Sequence, residues 1–221
     1  MKRIPEPDLM DDVVQAKAYA EADFSEPHEA FVNHFKLRYP DFMSGEVLDL
    51  GCGTCDVIMR FARVFPQATI LGVDGARAML DIGMQEVNRK GLVRRIKLKK
   101  CKLPCPELSG MRFDAVISNS LLHHLADPLV LWHTVSKYAK PDAPIFIMDL
   151  LRPNTVELAK GFVQQYAADA APDLQNDYYN SLLAAYRVEE IRQQLDITGF
   201  RYLNVEVVSD RHVLIWGKNR E

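Results

Sequence analysis

Short apolar runs alternate with amphipathic stretches along most of the chain, a pattern that predicts strands separated by helices. Glu46-Val47-Leu48-Asp49-Leu50 is an apolar run ending in a glycine turn, after which Ile58, Phe61, Ala62 and Phe65 recur at helical spacing until Pro66 stops them. The unit repeats as strand 69–74 and helix 76–90, closed by Gly91. It continues through strand 95–100, strand 113–118, helix 127–139, strand 144–150 and helix 188–198. Helices of this length between strands imply a parallel sheet with right-handed crossovers. The end of the chain breaks the rhythm. Only Ser209-Asp210-Arg211-His212 separates the run Tyr202–Val208 from Val213–Trp216, too short for a parallel crossover, so an antiparallel hairpin is predicted there.

Two stretches stand outside the alternation. Residues 10–38 read as helical, with Ser25-Glu26-Pro27 fitting a cap followed by Pro at the first helical position. Residues 152–187 form a mostly helical insertion, with a helix over 155–167 apolar at Val156, Ala159, Phe162, Val163 and Tyr166. A second helix follows at Tyr179, Leu182, Leu183 and Tyr186. The rings of Phe162, Tyr166, Tyr178, Tyr179 and Tyr186 make this insertion the candidate substrate lid, although the same rings at the same spacing also serve plain packing. The expectation is one domain over 1–221: an N-terminal helical lid (1–44), a ligand-binding core (45–151), the lid insertion (152–187), and a terminal helix with its hairpin (188–221).

Composition mostly excludes. The 221 residues carry 27 Lys and Arg against 30 Asp and Glu, net charge −3, which argues against a protein whose main partner is a phosphate backbone. No apolar segment reaches the ~20 residues of a spanning helix and the start MKRIPEPDLMDD has no signal-type run, so a soluble, cytoplasmic protein without a membrane partner is expected. A basic run, Arg94 to Lys102, in which Ile96 and Leu98 alternate with basic residues, fits either protection of a strand edge or a surface for RNA or an anionic substrate. The four cysteines, at 52, 55, 101 and 105, are too few to be a disulfide scaffold. Both pairs fall on loops that would flank a ligand pocket and not converge on an ion, so they read as small pocket-lining cysteines and no metal ligand is assigned.

The glycine turn carries the chemistry. In Asp49-Leu50-Gly51-Cys52-Gly53-Thr54-Cys55 a ligand can approach the backbone because glycine lacks a Cβ, at the carboxyl end of a strand where α/β sheets bind ligands. Asp74 ends the second strand, 21 residues after Gly53, where a carboxylate can take both hydroxyls of a ribose. A dinucleotide fold wants a third glycine where Cys55 and Asp56 stand, and acids on both sides of the turn, Asp49 and Asp56, suit a cationic ligand better than a pyrophosphate.

These motifs, with Phe113-Asp114-Ala115-Val116-Ile117-Ser118-Asn119, Leu122-His123-His124-Leu125-Ala126-Asp127-Pro128 and the terminal Gly199-Phe200 plus hairpin, resemble the class I S-adenosylmethionine-dependent methyltransferases from about residue 45 to the end. The resemblance implies a three-layer Rossmann-like α/β fold with seven strands in the order 3-2-1-4-5-7-6, strand 7 antiparallel, and S-adenosylmethionine as cofactor. By position it implies that Gly51 and Gly53 approach the methionine part, with Asp49 and Cys52 also among the cofactor-binding residues, that Asp74 holds the ribose, and that Gly75 and Met79 line ribose and adenine. Ser118 and Asn119 would lie near the reactive methyl, and Tyr19 would close over the cofactor. Two positions depart from the family. Cys55 replaces a glycine, and Lys99-Lys100-Cys101-Lys102 lacks the usual adenine-binding Asp, leaving adenine to groups around Cys101 and Lys102.

His123 and His124 are read as beginning the helix after the fourth strand, where a histidine can take a proton from an acceptor or simply pack. The expected function is transfer of a methyl group by in-line displacement to a small-molecule acceptor. An RNA methyltransferase using 94–102 and a non-catalytic S-adenosylmethionine-binding protein are the alternatives, with monomer and homodimer both open.

Overall fold

The computed structural model describes residues 1–6 and 11–220. In chain order its elements are α1 (Val13–Glu21), α2 (Ser25–Arg38), β1 (Ser44–Leu50), α3 (Asp56–Val64), β2 (Gln67–Asp74), α4 (Arg77–Arg89), β3 (Ile96–Lys100) and β4 (Ala115–Asn119). There follow α5 (Leu129–Tyr138), β5 (Pro144–Leu150), α6 (Val156–Tyr166), α7 (Pro172–Ala184), α8 (Val188–Ile197), β6 (Asn204–Val207) and β7 (His212–Lys218). The strands form one sheet in the order β3-β2-β1-β4-β5-β7-β6. Neighbours from β3 to β5 are parallel, and β7 runs antiparallel to both β5 and β6. This is the predicted α/β order, hairpin included.

The pleat explains how both faces are covered. On one face Leu48, Val116 and Ile145 pack with Trp132 and Val135 of α5 and Ile191 and Leu195 of α8. On the other, Val47, Ile117 and Phe146 pack with Phe31 and Phe35 of α2 and Ile58 and Phe61 of α3. Phe35 is ringed by Phe42, Phe61, Phe65 and Phe146 at centroid distances of 4.8 to 5.4 Å. The Tyr39 hydroxyl accepts the Gly217 N–H at 2.9 Å and donates to the Ile145 carbonyl at 3.0 Å, which fastens the end of α2 to the β5–β7 pair. Every residue of β5 is buried, so it reads as a continuous apolar run.

Several boundaries differ from the sequence reading. The predicted helix 10–38 is two helices broken at Ala22–Phe24. Its first residue, Met10, lies outside the described residues, as does Glu221 at the end of the predicted domain. Ser25 is the first helical residue of α2 and not its cap; Asp23 Oδ1 accepts its N–H at 2.9 Å. His123 and His124 do not begin α5 but lie before it in a 3-10 turn, Leu122–His124. β3 is the sheet edge, with Lys99 donating to the Glu107 carbonyl at 3.1 Å, Lys100 lying 3.8 Å from Asp11 and Arg95 donating to the Ala62 carbonyl at 2.6 Å. Among the described residues no helix is long and apolar enough to cross a membrane.

Candidate active site

The carboxyl ends of β1, β2, β4 and β5 open onto a cleft of about 1460 Å³, walled elsewhere by the N-terminal residues, α1, the start of α2 and the α6–α7 pair. The glycine turn forms its floor. Gly51 (φ +77°) and Cys52 donate their N–H groups to the Val73 carbonyl at 2.8 and 3.0 Å, locking the turn to β2. A Cβ on Gly51 would sit 2.9 Å from Leu121, whereas one on Gly53 would meet nothing within 4 Å, so Gly53 leaves open backbone for a ligand. Cys55, just before α3, has φ +72°, the left-handed conformation that makes glycine the ordinary choice there. Its Sγ lies where a Cβ on Gly83 of α4 would come within 2.5 Å.

Two carboxylates flank the turn. Asp74 Oδ2 accepts the Gly53 N–H at 2.9 Å and Oδ1 the Ala76 N–H at 2.8 Å, and each oxygen keeps a further acceptor position. Burial outweighs these bonds and holds its pKa above the ordinary value. Asp49 is 2% exposed and its Oδ1 has no hydrogen-bond partner. Burial, then repulsion from Asp74, pushes its pKa up to about 8, so a cation placed against it would restore the ionised form. Tyr19, with its pKa raised to about 12 by burial and then by Asp56 and Asp74, packs on Phe24 at 4.7 Å along the same wall.

Cys52, Gly75, Met79, Cys101, Lys102 and Asn119 also line the cleft. Ser118 does not, a correction to the sequence reading: it is fully buried and its Oγ donates to the Leu50 carbonyl at 2.7 Å, tying β4 to β1. The four cysteines are not alike: Cys101 and Cys105 are paired as a disulfide while Cys52 and Cys55 are free. Cys52 and Cys101 face the cleft, and Cys55 and Cys105 are fully buried in the core.

A second polar cluster lies across the cleft. His123 Nδ1 is 2.6 Å from Asp149 Oδ1, both residues are 2% exposed, and Asp149 Oδ2 accepts the Leu122 N–H at 2.7 Å. Burial disfavours the imidazolium, but the Asp149 carboxylate more than offsets it and the His123 pKa is raised. His124 Nδ1 pairs with Glu6, which also accepts the Ser181 hydroxyl at 2.6 Å. Burial alone would raise the Glu6 pKa, yet His124 and His123 bring it down to about 2. Glu6 arrives on a strap that precedes every helix: Ile4 N–H donates to the Leu183 carbonyl at 3.0 Å. Arg3 donates to the carbonyls of Ala184, His123 and Leu125 at 2.5, 2.9 and 3.1 Å.

Sequence reasoning missed Glu6, Arg3, Ser181 and Asp149. A lone acid at the end of the apolar run IFIMDL was a usable signal for Asp149, whereas Glu6 precedes the first periodic element and left none. The far wall carries His212, whose pKa falls to about 4 through burial and then Arg211, and Arg211 itself, stacked 3.3 Å over Tyr166 and donating to Asp210 at 3.1 Å.

The fold and this glycine turn define the class I methyltransferase architecture. Residues 48–145 match a family described as methyltransferase domain. The chain is 34% identical over 104 residues to trans-aconitate 2-methyltransferase of Deinococcus radiodurans, covering 47% of this chain and 37% of that protein. It is 27% identical over 138 residues to a ubiquinone biosynthesis O-methyltransferase of Pseudoalteromonas translucida, covering 59% and 55%. The chain thus spans about half or less of the length of these curated relatives. Among solved structures it resembles a SAM-dependent methyltransferase of Aquifex aeolicus (TM-score 0.64, 17% identity, 94% and 98% covered). It also resembles a putative S-adenosylmethionine-dependent methyltransferase of Methanococcus maripaludis (TM-score 0.71, 13% identity, 99% and 98% covered). Residues 48–145 are thus similar to a methyltransferase domain, and the whole chain shares the fold of S-adenosylmethionine-dependent methyltransferases.

The site fits that cofactor on its own features. An unpartnered, buried Asp49 oxygen suits the ammonium of a methionine tail, Asp74 has acceptor positions left for a ribose diol, and Gly53 presents bare backbone between them.

Proposed function

We propose that the protein moves the methyl group of S-adenosylmethionine to a small molecule held in the half of the cleft between His124 and the α6–α7 wall. The observation that carries this reading is the tie of Asp74 to the Gly53 N–H, which joins a ribose-binding acid and the bare glycine turn in one rigid unit. When bound, the cofactor supplies a methyl already activated on a sulfonium. The protein's own work is then to align and desolvate the acceptor and to receive its proton. Asp49, Asp74 and the Gly53 backbone would hold the cofactor, with Tyr19 and Met79 along the nucleoside. With Nδ1–H directed at Glu6, His124 keeps Nε2 as the proton acceptor, and His123 is oriented by Asp149 in the same manner. The helical walls favour a small acceptor over RNA, and the basic residues 95, 99 and 100 are engaged at the sheet edge.

Calorimetric titration with S-adenosylmethionine tests the reading. Saturable one-site binding to the wild type, weakened about tenfold or more in Asp74→Ala, is expected, since loss of charged hydrogen bonds costs roughly 1.5–3 kcal/mol. Equal binding by the variant would refute it.

A further inference from the structure

The charge balance of the cleft narrows the acceptor. Among the described residues its walls carry eleven Asp and Glu side chains, Glu6, Glu26, Asp127, Asp169 and Asp177 on the acceptor side among them, against two permanent cations, Lys102 and Arg211. Lys102 lies on the loop expected at the adenine. Arg211 is already committed to Asp210 at 3.1 Å, to Glu26 at 3.9 Å and to the face of Tyr166. The four cleft histidines offer no free cation either: His28 faces Asp56 at 2.8 Å, His123 faces Asp149, His124 faces Glu6, and His212 is held neutral by burial. Even with Asp49 protonated near neutral pH, and with outside partners in Arg60 for Asp56 and Lys100 for Asp11, acids outnumber cations along the walls.

A second, independent feature points the same way. Asn119 Oδ1, in the cleft wall, is buried without a hydrogen-bond partner. Asn119 Oδ1 is an acceptor and needs a ligand that donates. An anionic acceptor such as a carboxylate brings no donor and meets no uncommitted cation.

We propose that the methyl acceptor is a small amine, drawn in as the ammonium and deprotonated by His124, which Glu6 holds in place; this rests on the methyltransferase reading above. One N–H proton passes to His124 Nε2. The freed nitrogen lone pair forms the new N–C bond as the C–S bond of the sulfonium breaks, its electron pair staying on sulfur. Glu6 is a positioning residue in this step, acting through His124.

The test uses the whole chain saturated with S-adenosylhomocysteine, titrated calorimetrically with benzylamine and 1,5-diaminopentane and in parallel with benzoate and glutarate. Amines are expected to bind at least about tenfold more tightly than the matched acids, with affinity falling as salt is raised because the attraction is screened. Turnover with S-adenosylmethionine should give the N-methylated amine by mass spectrometry. In Glu6→Gln, kcat should drop with KM little changed, and the deficit should close as pH nears the amine's own pKa, which a merely structural role would not produce. Equal or tighter binding of the carboxylates, or no saturable binding of either amine, overturns the proposal. Failure of S-adenosylhomocysteine to bind is seen in its own titration and sinks the underlying reading instead.

Discussion

At the residue scale, the cysteine standing where the turn favours glycine is accommodated locally. Cys55 sits where the backbone needs a left-handed conformation, and α4 makes room for its sulfur by carrying glycine at 83. Gly83→Ala would drive a Cβ to 2.5 Å from that sulfur and 3.3 Å from the Gly53 carbonyl, pressing on the ligand turn itself. Overpacking of this kind costs about 1–3 kcal/mol. Cys55→Gly removes the sulfur and suits φ +72°, so the double variant should recover most of the loss, and additive costs in a urea double-mutant cycle would refute this coupling. Asp49 gives a pH signature. Its folded pKa of about 8 lies above the ordinary carboxylate value of 3.8, so the folded state keeps a proton that the unfolded chain has released. Stability from this group is complete below the ordinary value and is lost as pH rises to about 8, at a limit of about 1.4 kcal/mol per pH unit. Asp49→Asn should therefore raise the melting temperature at pH 7 while weakening S-adenosylmethionine binding. Wild-type affinity for that cationic ligand should climb with pH towards 8. A flat pH profile would contradict the assignment.

At the element scale, what the chain declares is what repeats. Short apolar runs set between helical stretches made β1, β2, β4 and β5 legible, and the four residues before β7 left no room for a crossover, so the terminal hairpin could be read from the spacing alone. The break at Ala22–Phe24 was hidden because both flanking segments are good helix, and Ser118 was misplaced because a serine at a strand end reads the same whether it faces ligand or a neighbouring carbonyl. The strap 1–6 had no periodicity to betray it: its binding rests on Arg3, which donates to three carbonyls and lies 4.0 Å over Tyr186. Arg3→Ala should release Glu6 from His124 without touching the glycine turn. Turnover should fall by about tenfold or more, the scale of a lost proton-transfer aid, while S-adenosylhomocysteine affinity stays within about twofold. Parallel loss of both would show that the strap serves the cofactor half instead.

At the scale of the whole molecule, the two large clusters on the sheet faces contrast with small satellite clusters over the cleft. α6 contributes Ala159 to a group closed by Leu150, Leu182 and Leu183, and α1 contributes Ala16 to one with Ala76 and Met79. Val13, Val14, Val156 and Leu158 on these helices are exposed, so little apolar burial holds either in place. Segments held this weakly open below the global unfolding free energy, and they are the same segments that would have to part to admit ligands. In the free protein, amides of α1 and α6 should exchange fastest among the helices, while those of β1, β4 and β5 report global unfolding. A ligand seated on Asp49 and Asp74 would meet Tyr19 of α1 and Met79 of α4, which packs in one cluster with α1. At 100 times its dissociation constant it adds about 2.7 kcal/mol to every opening that expels it. S-adenosylhomocysteine should therefore slow exchange in α1 strongly and in α6 weakly, and addition of an acceptor amine should then slow α6. Equal protection of both helices by S-adenosylhomocysteine alone would mean that the cleft closes as one body and that its two halves are not separately gated.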